Sequence, residues 1–122
     1  MLNLLAVFIG GGLGSLSRYG ISKLSTKFIS TSFPLGTFIS NTLSCIILAI
    51  AVIYFTGKTS DNTALKLLII TGFCGGFSTF STFSFETFEL LKQGNYLVAT
   101  LNITISVLVG VSLIFFLLKN QT

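Results

Sequence analysis

The chain has 122 residues, of which seven are Lys or Arg and three are Asp or Glu, so its formal net charge is +4. Charged residues make up 8% of the sequence and apolar residues 52%, whereas about 25% of an ordinary soluble domain is charged. Ten charges cannot cover the surface of a soluble protein of 13.1 kDa. The composition therefore excludes a soluble globular domain and a disordered chain, and it indicates a membrane protein.

The residue types also argue against an enzyme. There is no histidine, which excludes Ser-His-Asp triads, Cys-His pairs and histidine metal sites. The single aspartate, Asp61, lies in the most polar stretch, and the remaining carboxylates are Glu86 and Glu89. Cys45 and Cys74 both lie within apolar segments, which is typical of small buried residues and not of a disulfide framework. We expect no catalytic site.

Four segments are long and apolar enough to cross a bilayer. A hydrocarbon core of about 30 Å needs roughly 20 helical residues at about 1.5 Å each. The predicted spans are approximately residues 2–23, 33–56, 64–92 and 96–118. The stretches between them leave no room for a soluble domain. The sequence therefore predicts an all-α membrane protein whose residues 1–122 form a single four-helix transmembrane domain.

The first span carries no charge before Arg18. It lacks a basic region ahead of its apolar run, so we expect a retained helix and not a secretory signal. Gly10 and Gly14 have the Gly-x-x-x-Gly spacing that lets another helix approach closely; this spacing serves either a specific contact or simple packing. Arg18 either supplies positive potential at an anion entrance or is a solvated helix end.

The distribution of positive charge gives almost no preferred orientation. With four spans, both termini and the middle loop share one side of the membrane, which carries three basic residues, while the other side carries four. The two sets are Lys58, Lys66 and Lys119, and Arg18, Lys23, Lys27 and Lys92. A difference of one charge allows insertion both ways up. The sequence therefore predicts a dual-topology homodimer of two antiparallel copies.

The second span opens at Pro34, which suits a helix start because its missing N–H is not needed there. Thr37, Asn41 and Ser44 follow at positions i, i+4 and i+7, which lie on one helical face. The Asn41 amide needs hydrogen-bond partners within a bilayer. It either bridges to another helix or donates its N–H groups to an anion.

The third span contains three glycines within five residues, Gly72, Gly75 and Gly76. Each glycine costs about 1 kcal/mol relative to alanine in a helix interior, so the cluster predicts a helix broken at this Gly-rich segment. A break frees backbone carbonyls that must be satisfied by protein, water or an ion. Such carbonyls can bind a cation without any carboxylate.

Phenylalanines and hydroxyl residues alternate after the glycines. Phe80 and Phe83 are three residues apart and share a helical face. The hydroxyl residues are Ser78, Thr79, Ser81, Thr82 and Ser84. Aromatic rings have positive edges, so rings presented edge-on can line a path for a small anion without holding it too tightly for conduction. The alternative is a phenylalanine stripe packed in a helix interface.

The fourth span places Asn102, Ser106 and Gly110 at i, i+4 and i+8. Asn102 and Ser106 either continue a polar track or form bonds between helices. Glu86 and Glu89, near the end of the third span, either face an aqueous vestibule or belong to a solvated helix end.

Three stretches of this sequence resemble the CrcB/Fluc fluoride channels, and the resemblance extends over nearly the whole chain. They are the Gly-rich residues 10–19 ending in Arg-Tyr, residues 34–41, and residues 72–84. The third stretch is highly specific. The resemblance implies a dual-topology homodimer with two antiparallel fluoride pores, which allow passive fluoride efflux across the bacterial cytoplasmic (inner) membrane and so reduce cytoplasmic fluoride toxicity.

The resemblance also implies roles for individual residues. Fluoride would move along Phe80 and Phe83, with Asn41 as an amide donor in the pore. The other predicted pore residues are Ser81, Thr82, Asn102 and Ser106. A structural Na+ that is not transported would bind the backbone carbonyls of Gly75 and Ser78, and Arg18 would lie toward an aqueous vestibule. The expected partners are fluoride, a second copy of the chain and lipid, with no nucleic acid.

Two residues depart from the family pattern. Ser78 stands where the family usually has Thr, a change that a carbonyl ligand tolerates. Asn102 stands where the fourth helix of the family commonly has Tyr. The phenol of that position is therefore absent from this chain, and an amide, which still donates hydrogen bonds, stands in its place.

Two alternatives to a channel make different demands on the sequence. A small dual-topology multidrug exporter relies on a carboxylate in its first helix, and residues 2–23 contain none. A structural or assembly protein would use its glycines and phenylalanines for packing alone and would conduct no ions. The polar cluster around residues 72–84 favours the channel, because packing does not require it.

Overall fold

A computed structural model of the chain describes residues 1–56 and 62–121. Lys58 and Asp61, which entered the charge count and the predicted middle loop, lie outside the described residues. Within the described ranges the regular structure is helical, with no strand, and four helices are long and apolar enough to cross a membrane.

The four spans form five helices, because the third span is interrupted. Their bounds are α1 Leu2–Phe28, α2 Leu35–Thr56, α3 running through Thr63–Lys66, Leu67–Cys74 and Gly75–Phe77, α4 Phe80–Lys92, and α5 Tyr96–Leu118. Leu67–Cys74 is π-helical. Short π-helical stretches are frequently found at functional sites, and this one leads directly into the interruption between α3 and α4.

The predicted bounds agree with the structure for the fourth span and differ elsewhere. The prediction for α1 ended too early, because the helix continues past Lys23 to Phe28. Residues 24–28 contain neither Gly nor Pro to stop it, and Lys27 in the last turn suits the negative end of the helix dipole. Helix α2 begins two residues later than predicted, and the Pro34 carbonyl accepts from the N–H of Phe38 at 3.1 Å.

The glycines of the third span are not themselves the break. Gly72 lies in the π-helical stretch, and Gly75 and Gly76 form the turn that follows it. The backbone is extended at the next two residues, with φ −82° and ψ 158° at Ser78 and φ −154° and ψ 118° at Thr79. The prediction therefore needs correction: the helix stays intact through its glycines and is interrupted immediately after them.

The glycines serve a close contact between α1 and α3. A Cβ atom on Gly14 would lie 2.8 Å from the backbone N of Phe77, and one on Gly72 would lie 2.9 Å from the carbonyl oxygen of Val7. Gly10 would collide with the carbonyl of Leu68 in the same way. Both helices therefore use small residues to bring their backbones together. The Gly-x-x-x-Gly spacing of α1 thus allows close contact with α3 of the same chain.

The distribution of side chains is the reverse of that in a soluble protein. Large apolar side chains cover the outside, including Phe8, Leu97 and Phe115, which are 78%, 72% and 62% exposed. Inside, Asn102 and its hydrogen-bond partner Thr87 are 1% and 7% exposed. Apolar side chains in contact with lipid carry no hydrophobic penalty, whereas polar groups need protein partners there. This arrangement fits four spans within a bilayer.

Candidate functional site at the helix interruption

The backbone of Thr79 is held by the side chain of Asn41. The N–H of Thr79 donates to Asn41 Oδ1 at 2.7 Å, and Asn41 Nδ2 donates to the Thr79 carbonyl oxygen at 3.3 Å. The amide of α2 thus replaces helical bonds that the extended backbone cannot form. Since the amide has two N–H groups, one remains for a further acceptor.

Thr79 also starts the next helix. Its Oγ1 accepts from the backbone N–H of Thr82 at 3.2 Å, which caps the N-terminus of α4. The same oxygen lies 3.1 Å from Thr82 Oγ1 and 3.3 Å from Ser81 Oγ. The backbone at the interruption is therefore stabilised by side chains: Asn41 pairs with the backbone of Thr79, and the Thr79 hydroxyl pairs with the N–H of Thr82.

The polar face predicted for α2 contacts the third span at three levels. Besides the Asn41 pair, Ser44 Oγ donates to the Cys74 carbonyl at 3.0 Å, and Thr37 Oγ1 donates to Glu86 Oε1 at 2.9 Å. The prediction that these three residues share a face is confirmed. Each forms a bond between helices, which was one of the two alternatives for Asn41.

A cavity of about 290 Å³ opens beside the interruption. It lies where α2, the Ser78–Thr79 segment, α4 and α5 meet. Its lining residues are Asn41, Cys45, Ser78, Thr79, Phe80, Phe83, Ser106 and Val107. No charged side chain is among the described residues that line it. The cavity thus combines an amide, hydroxyls and two aromatic rings without a fixed charge.

The two rings are adjacent but differently exposed. The centroids of Phe80 and Phe83 lie 5.9 Å apart with an angle of 35° between the ring planes. Phe80 is 80% exposed, whereas Phe83 is half-buried. The prediction that the two side chains share a face is confirmed, and both rings line the cavity.

Ser106 connects the cavity wall to a buried polar chain between α5 and α4. Its Oγ donates to Asn102 Oδ1 at 3.4 Å, and Asn102 Nδ2 donates to Thr87 Oγ1 at 3.0 Å. Thr87 in turn donates to the Phe83 carbonyl at 2.8 Å. Asn102 therefore bridges helices and contributes to the cavity only through Ser106.

The remaining predicted pore residues, Ser81 and Thr82, do not line the cavity. Ser81 is exposed, and Thr82 binds the capping hydroxyl of Thr79. Both residues lie in the first turn of α4, where their hydroxyl groups contact the capping hydroxyl of Thr79.

Gly75 and Ser78 share a second cavity, of about 310 Å³, that adjoins the first. Apart from its two chain neighbours and the backbone of its own helix, no described atom lies within 4 Å of a Cβ built on Gly75. The extended backbone at Ser78 and Thr79 turns the Thr79 N–H to Asn41, away from the helical bond to the Gly75 carbonyl. The Thr82 N–H caps onto Thr79 Oγ1 and not onto the Ser78 carbonyl. The interruption thus removes the usual helical donor from both carbonyls.

Arg18, on α1, contacts the last turn of α3. Its Nε donates to the Gly76 carbonyl oxygen at 3.1 Å, and Ser15 Oγ lies 3.5 Å from that oxygen. Arg18 is half-buried. The structure therefore ties the side chain predicted for a vestibule to the end of α3.

Glu86 lies near a third, more polar cavity of about 190 Å³ at the start of α2. Its Oε1 accepts from Thr37, while its buried Oε2 has no hydrogen-bond partner in the described part of the chain. Glu86 is thus partly enclosed and is not the freely solvated helix end that one alternative predicted.

Three residues that line the cavity were not predicted as pore residues from the sequence: Thr79, Cys45 and Val107. Thr79 was detectable, because a threonine directly before a helical pattern is a preferred N-cap. Cys45 and Val107 carry no comparable signal, since small apolar residues within spans are common.

Comparisons with known proteins identify the family. The family model described as "CrcB-like protein, Camphor Resistance (CrcB)" matches residues 5–118. The chain belongs to the CrcB family. Since residues 5–118 include the four membrane-spanning helices, except the first three residues of α1, and the whole interruption, the match covers the fold and the site together.

Similar proteins named "Fluoride-specific ion channel FluC" occur in several organisms. One from Dehalococcoides mccartyi is 43% identical over 115 residues, which cover 94% of this chain and 88% of the relative. One from Pyrococcus abyssi is 44% identical over 113 residues, covering 91% and 89%. One from Coxiella burnetii is 41% identical over 107 residues, covering 87% and 86%. The resemblance to the family is thereby confirmed, and with four helices able to span a membrane the chain is a multi-pass membrane protein.

Proposed function

We propose that this chain forms a fluoride-selective channel that lets fluoride leave the cell passively. The observation that carries the proposal is the uncharged cavity at the interruption, where Phe80, Phe83, Asn41 and Ser106 meet. Its relatives named as fluoride-specific channels support the same function.

The chemistry of the lining suits a small anion in transit. The ring edges of Phe80 and Phe83 carry partial positive charge, and the Asn41 amide retains one N–H after binding Thr79. A lysine or arginine in their place would bind the anion strongly, whereas conduction needs weak binding at several positions. Conduction of this kind requires no catalysis.

We propose an antiparallel homodimer as the working assembly. The near balance of positive charge across the predicted spans supports insertion in both orientations. The exposure of Phe80 and the open space beside Gly75 leave part of the site uncovered in one copy, where a second copy would cover it. A tag on the C-terminus is expected to be accessible from both sides of the membrane; access from one side alone would contradict this assembly.

The residues at the interruption fit a structural Na+. The carbonyls of Gly75 and Ser78 lose their helical donors and lie beside one cavity, and carbonyl oxygen is a suitable ligand for a hard cation. These two residues would hold the ion, which would neutralise the carbonyl dipoles at the interruption. Fluoride conduction is expected to fall when Na+ is replaced by a larger cation during purification and assay.

The expected location is the cytoplasmic membrane of a bacterium, where efflux would protect the cytoplasm against fluoride that enters as HF. The multidrug exporter has no support from the comparisons, and no carboxylate lies in residues 2–23.

The test of the function is fluoride efflux from liposomes that contain the purified protein, measured with a fluoride electrode. Fluoride is expected to leave rapidly while chloride, assayed in parallel, stays inside. An absence of fluoride flux, or chloride flux of equal rate, would contradict the proposal, and the former would favour a purely structural protein.

A further inference from the structure

Arg18 and Ser15 both direct side-chain donors at one backbone oxygen, the carbonyl of Gly76. The distances are 3.1 Å from Arg18 Nε and 3.5 Å from Ser15 Oγ. Ser15 and Arg18 follow Gly11 at i+4 and i+7, so all three lie on one face of α1. This face is the one that packs against the last turn of α3.

The Gly76 carbonyl needs such donors because of the interruption. The last four carbonyls of a helix have no intrahelical partner, and the extended backbone at Ser78 and Thr79 places Gly76 among them. A cationic side chain near a helix C-terminus also interacts favourably with the helix dipole. Arg18 supplies both the hydrogen bond and the charge at this helix end.

The close approach of the backbones makes this contact possible. A Cβ atom on Gly76 would collide with the carbonyl oxygen of Gly11, so the absence of a side chain there keeps α1 within reach. By contrast, Gly75 faces open space. The last turn of α3 is therefore held against α1 at Gly76, whereas a side chain at Gly75 would point into open space.

We propose that Arg18 is a positioning residue that fixes the end of α3, and with it the neighbouring carbonyl of Gly75, and that it does not act as a free charge attracting fluoride. The part of this inference that concerns flux rests on the proposed channel function. It differs from the vestibule role expected from the sequence, because it requires the Nε–H of a guanidinium and not simply a positive charge.

Two variants separate geometry from charge. Arg18→Lys keeps the charge and loses the Nε–H, while Arg18→Gln loses the charge as well. Both are expected to lower fluoride flux in liposomes by about tenfold, as for a lost hydrogen bond from a charged group. Lys23→Gln is the matched control: it removes an exposed charge from the same helix and is expected to change flux by less than about twofold.

The salt dependence of flux distinguishes the two roles further. Attraction between a free charge and an anion is screened at high ionic strength, whereas a hydrogen bond that positions the backbone is not. The losses caused by Arg18→Lys and Arg18→Gln are therefore expected to be the same at low and high salt.

A second readout does not depend on flux. The sequence contains two Gly-Phe pairs, Gly72–Phe73 and Gly76–Phe77. Labelling glycine with ¹³C at the carbonyl and phenylalanine with ¹⁵N therefore gives two correlated signals in solid-state NMR of the protein in lipid. Both Arg18 variants are expected to shift the Gly76 carbonyl signal and leave that of Gly72 unchanged.

Flux of the wild-type protein tests the channel function, and the Gly76 signal tests the contact, so the two can fail separately. The positioning role is overturned if Arg18→Lys conducts like the wild type while the loss in Arg18→Gln disappears at high salt, or if the Gly76 signal stays in place in both variants.

Ser15→Ala removes the weaker donor and is expected to shift the same signal less. This keeps the contact testable should the Arg18 variants not fold, and an unmoved signal in Ser15→Ala then counts against it.

Discussion

The two helices that flank the interrupted span hold it in opposite ways. Helix α1 presents glycines, so that its backbone packs directly on that of α3 at Gly14 and Gly72. Helix α2 presents polar side chains, which bond the same span at Cys74, Thr79 and Glu86. The α1 contact depends mainly on the absence of side chains, with Ser15 and Arg18 adding bonds to the Gly76 carbonyl alone, whereas the α2 contact depends on side-chain hydrogen bonds.

This contrast separates packing from chemistry. Direct backbone contact at the glycines sets the distance between α1 and α3 and leaves no space between them, so the α1 glycines mainly determine whether the chain folds. The polar side chains of α2 supply partners for the interrupted backbone and leave a cavity beside it, so the α2 side determines what the site can bind. Substitutions on the two sides are therefore expected to have different consequences.

The largest effect is expected from a side chain added on the α1 side. Gly14→Val places atoms against the Phe77 backbone, where a Cβ would already lie 2.8 Å from N. The helices must separate, at a cost of about 3 kcal/mol or more. We expect little monodisperse protein and a lower melting temperature in detergent. Gly12→Val is the control, because no atom lies within 4 Å of a Cβ there; equal losses in both variants would contradict the backbone contact.

The next effect is expected from the α2 side. Asn41→Leu removes both bonds to the Thr79 backbone and leaves its N–H and carbonyl unpaired, at roughly 1 kcal/mol or more for each group. We expect a stability loss of about 2 kcal/mol and loss of fluoride flux. Asn3→Leu, on the exposed face of α1, is the control. Wild-type stability in Asn41→Leu would show that Asn41 does not fasten the interruption.

A smaller effect, confined to function, is expected from the rings of the cavity. Phe80→Ile and Phe83→Ile remove the ring edges while keeping apolar bulk, and an aromatic contribution of roughly 0.5–1.5 kcal/mol corresponds to flux reduced by about two- to tenfold. Stability and assembly are expected to stay unchanged. Phe88→Ile, on the exposed surface of α4, is the control; unchanged flux in both cavity variants would remove the aromatic path.

The smallest effect is expected from Ser44→Ala. The Cys74 carbonyl that Ser44 binds also accepts from the N–H and Oγ of Ser78, at 3.0 and 2.8 Å. Because the acceptor stays paired, we expect a loss below about 1 kcal/mol, seen as a small change in melting temperature. A loss as large as that of Asn41→Leu would mean that the polar contacts of α2 act as one unit.

Much of the fold could be predicted from the sequence because each span is set by local composition. The length and apolar content of residues 96–118 gave the bounds of α5 as observed, and the 3.6-residue period placed Thr37, Asn41 and Ser44 on one face. The exact site of the interruption could not be predicted. The low helix propensity of glycine indicates that a helix is less stable there, but it does not indicate the residue at which the helix ends. The turn that contains Gly76, which lies close against Gly11, is still helical.

The candidate site was predicted in part for a similar reason. Residue type indicated Asn41, Phe80, Phe83 and Ser106, and the structure brings all four to one cavity. The alternatives for Asn41 and Arg18 depended on which backbone groups lie opposite them. Those partners, the Thr79 and Gly76 backbones, come from other helices and leave no local signal.

The sequence by itself determined that the chain is a membrane protein with four spans, because ten charges among 122 residues cannot support a soluble surface. It also determined the chemical types available to the site. Only the tertiary structure decided that the interruption falls at Ser78 and Thr79, that Asn41 fastens it and that Arg18 binds the end of α3. The physical reason is that unpaired backbone groups within a bilayer must find protein partners, and those partners are set by how the helices pack.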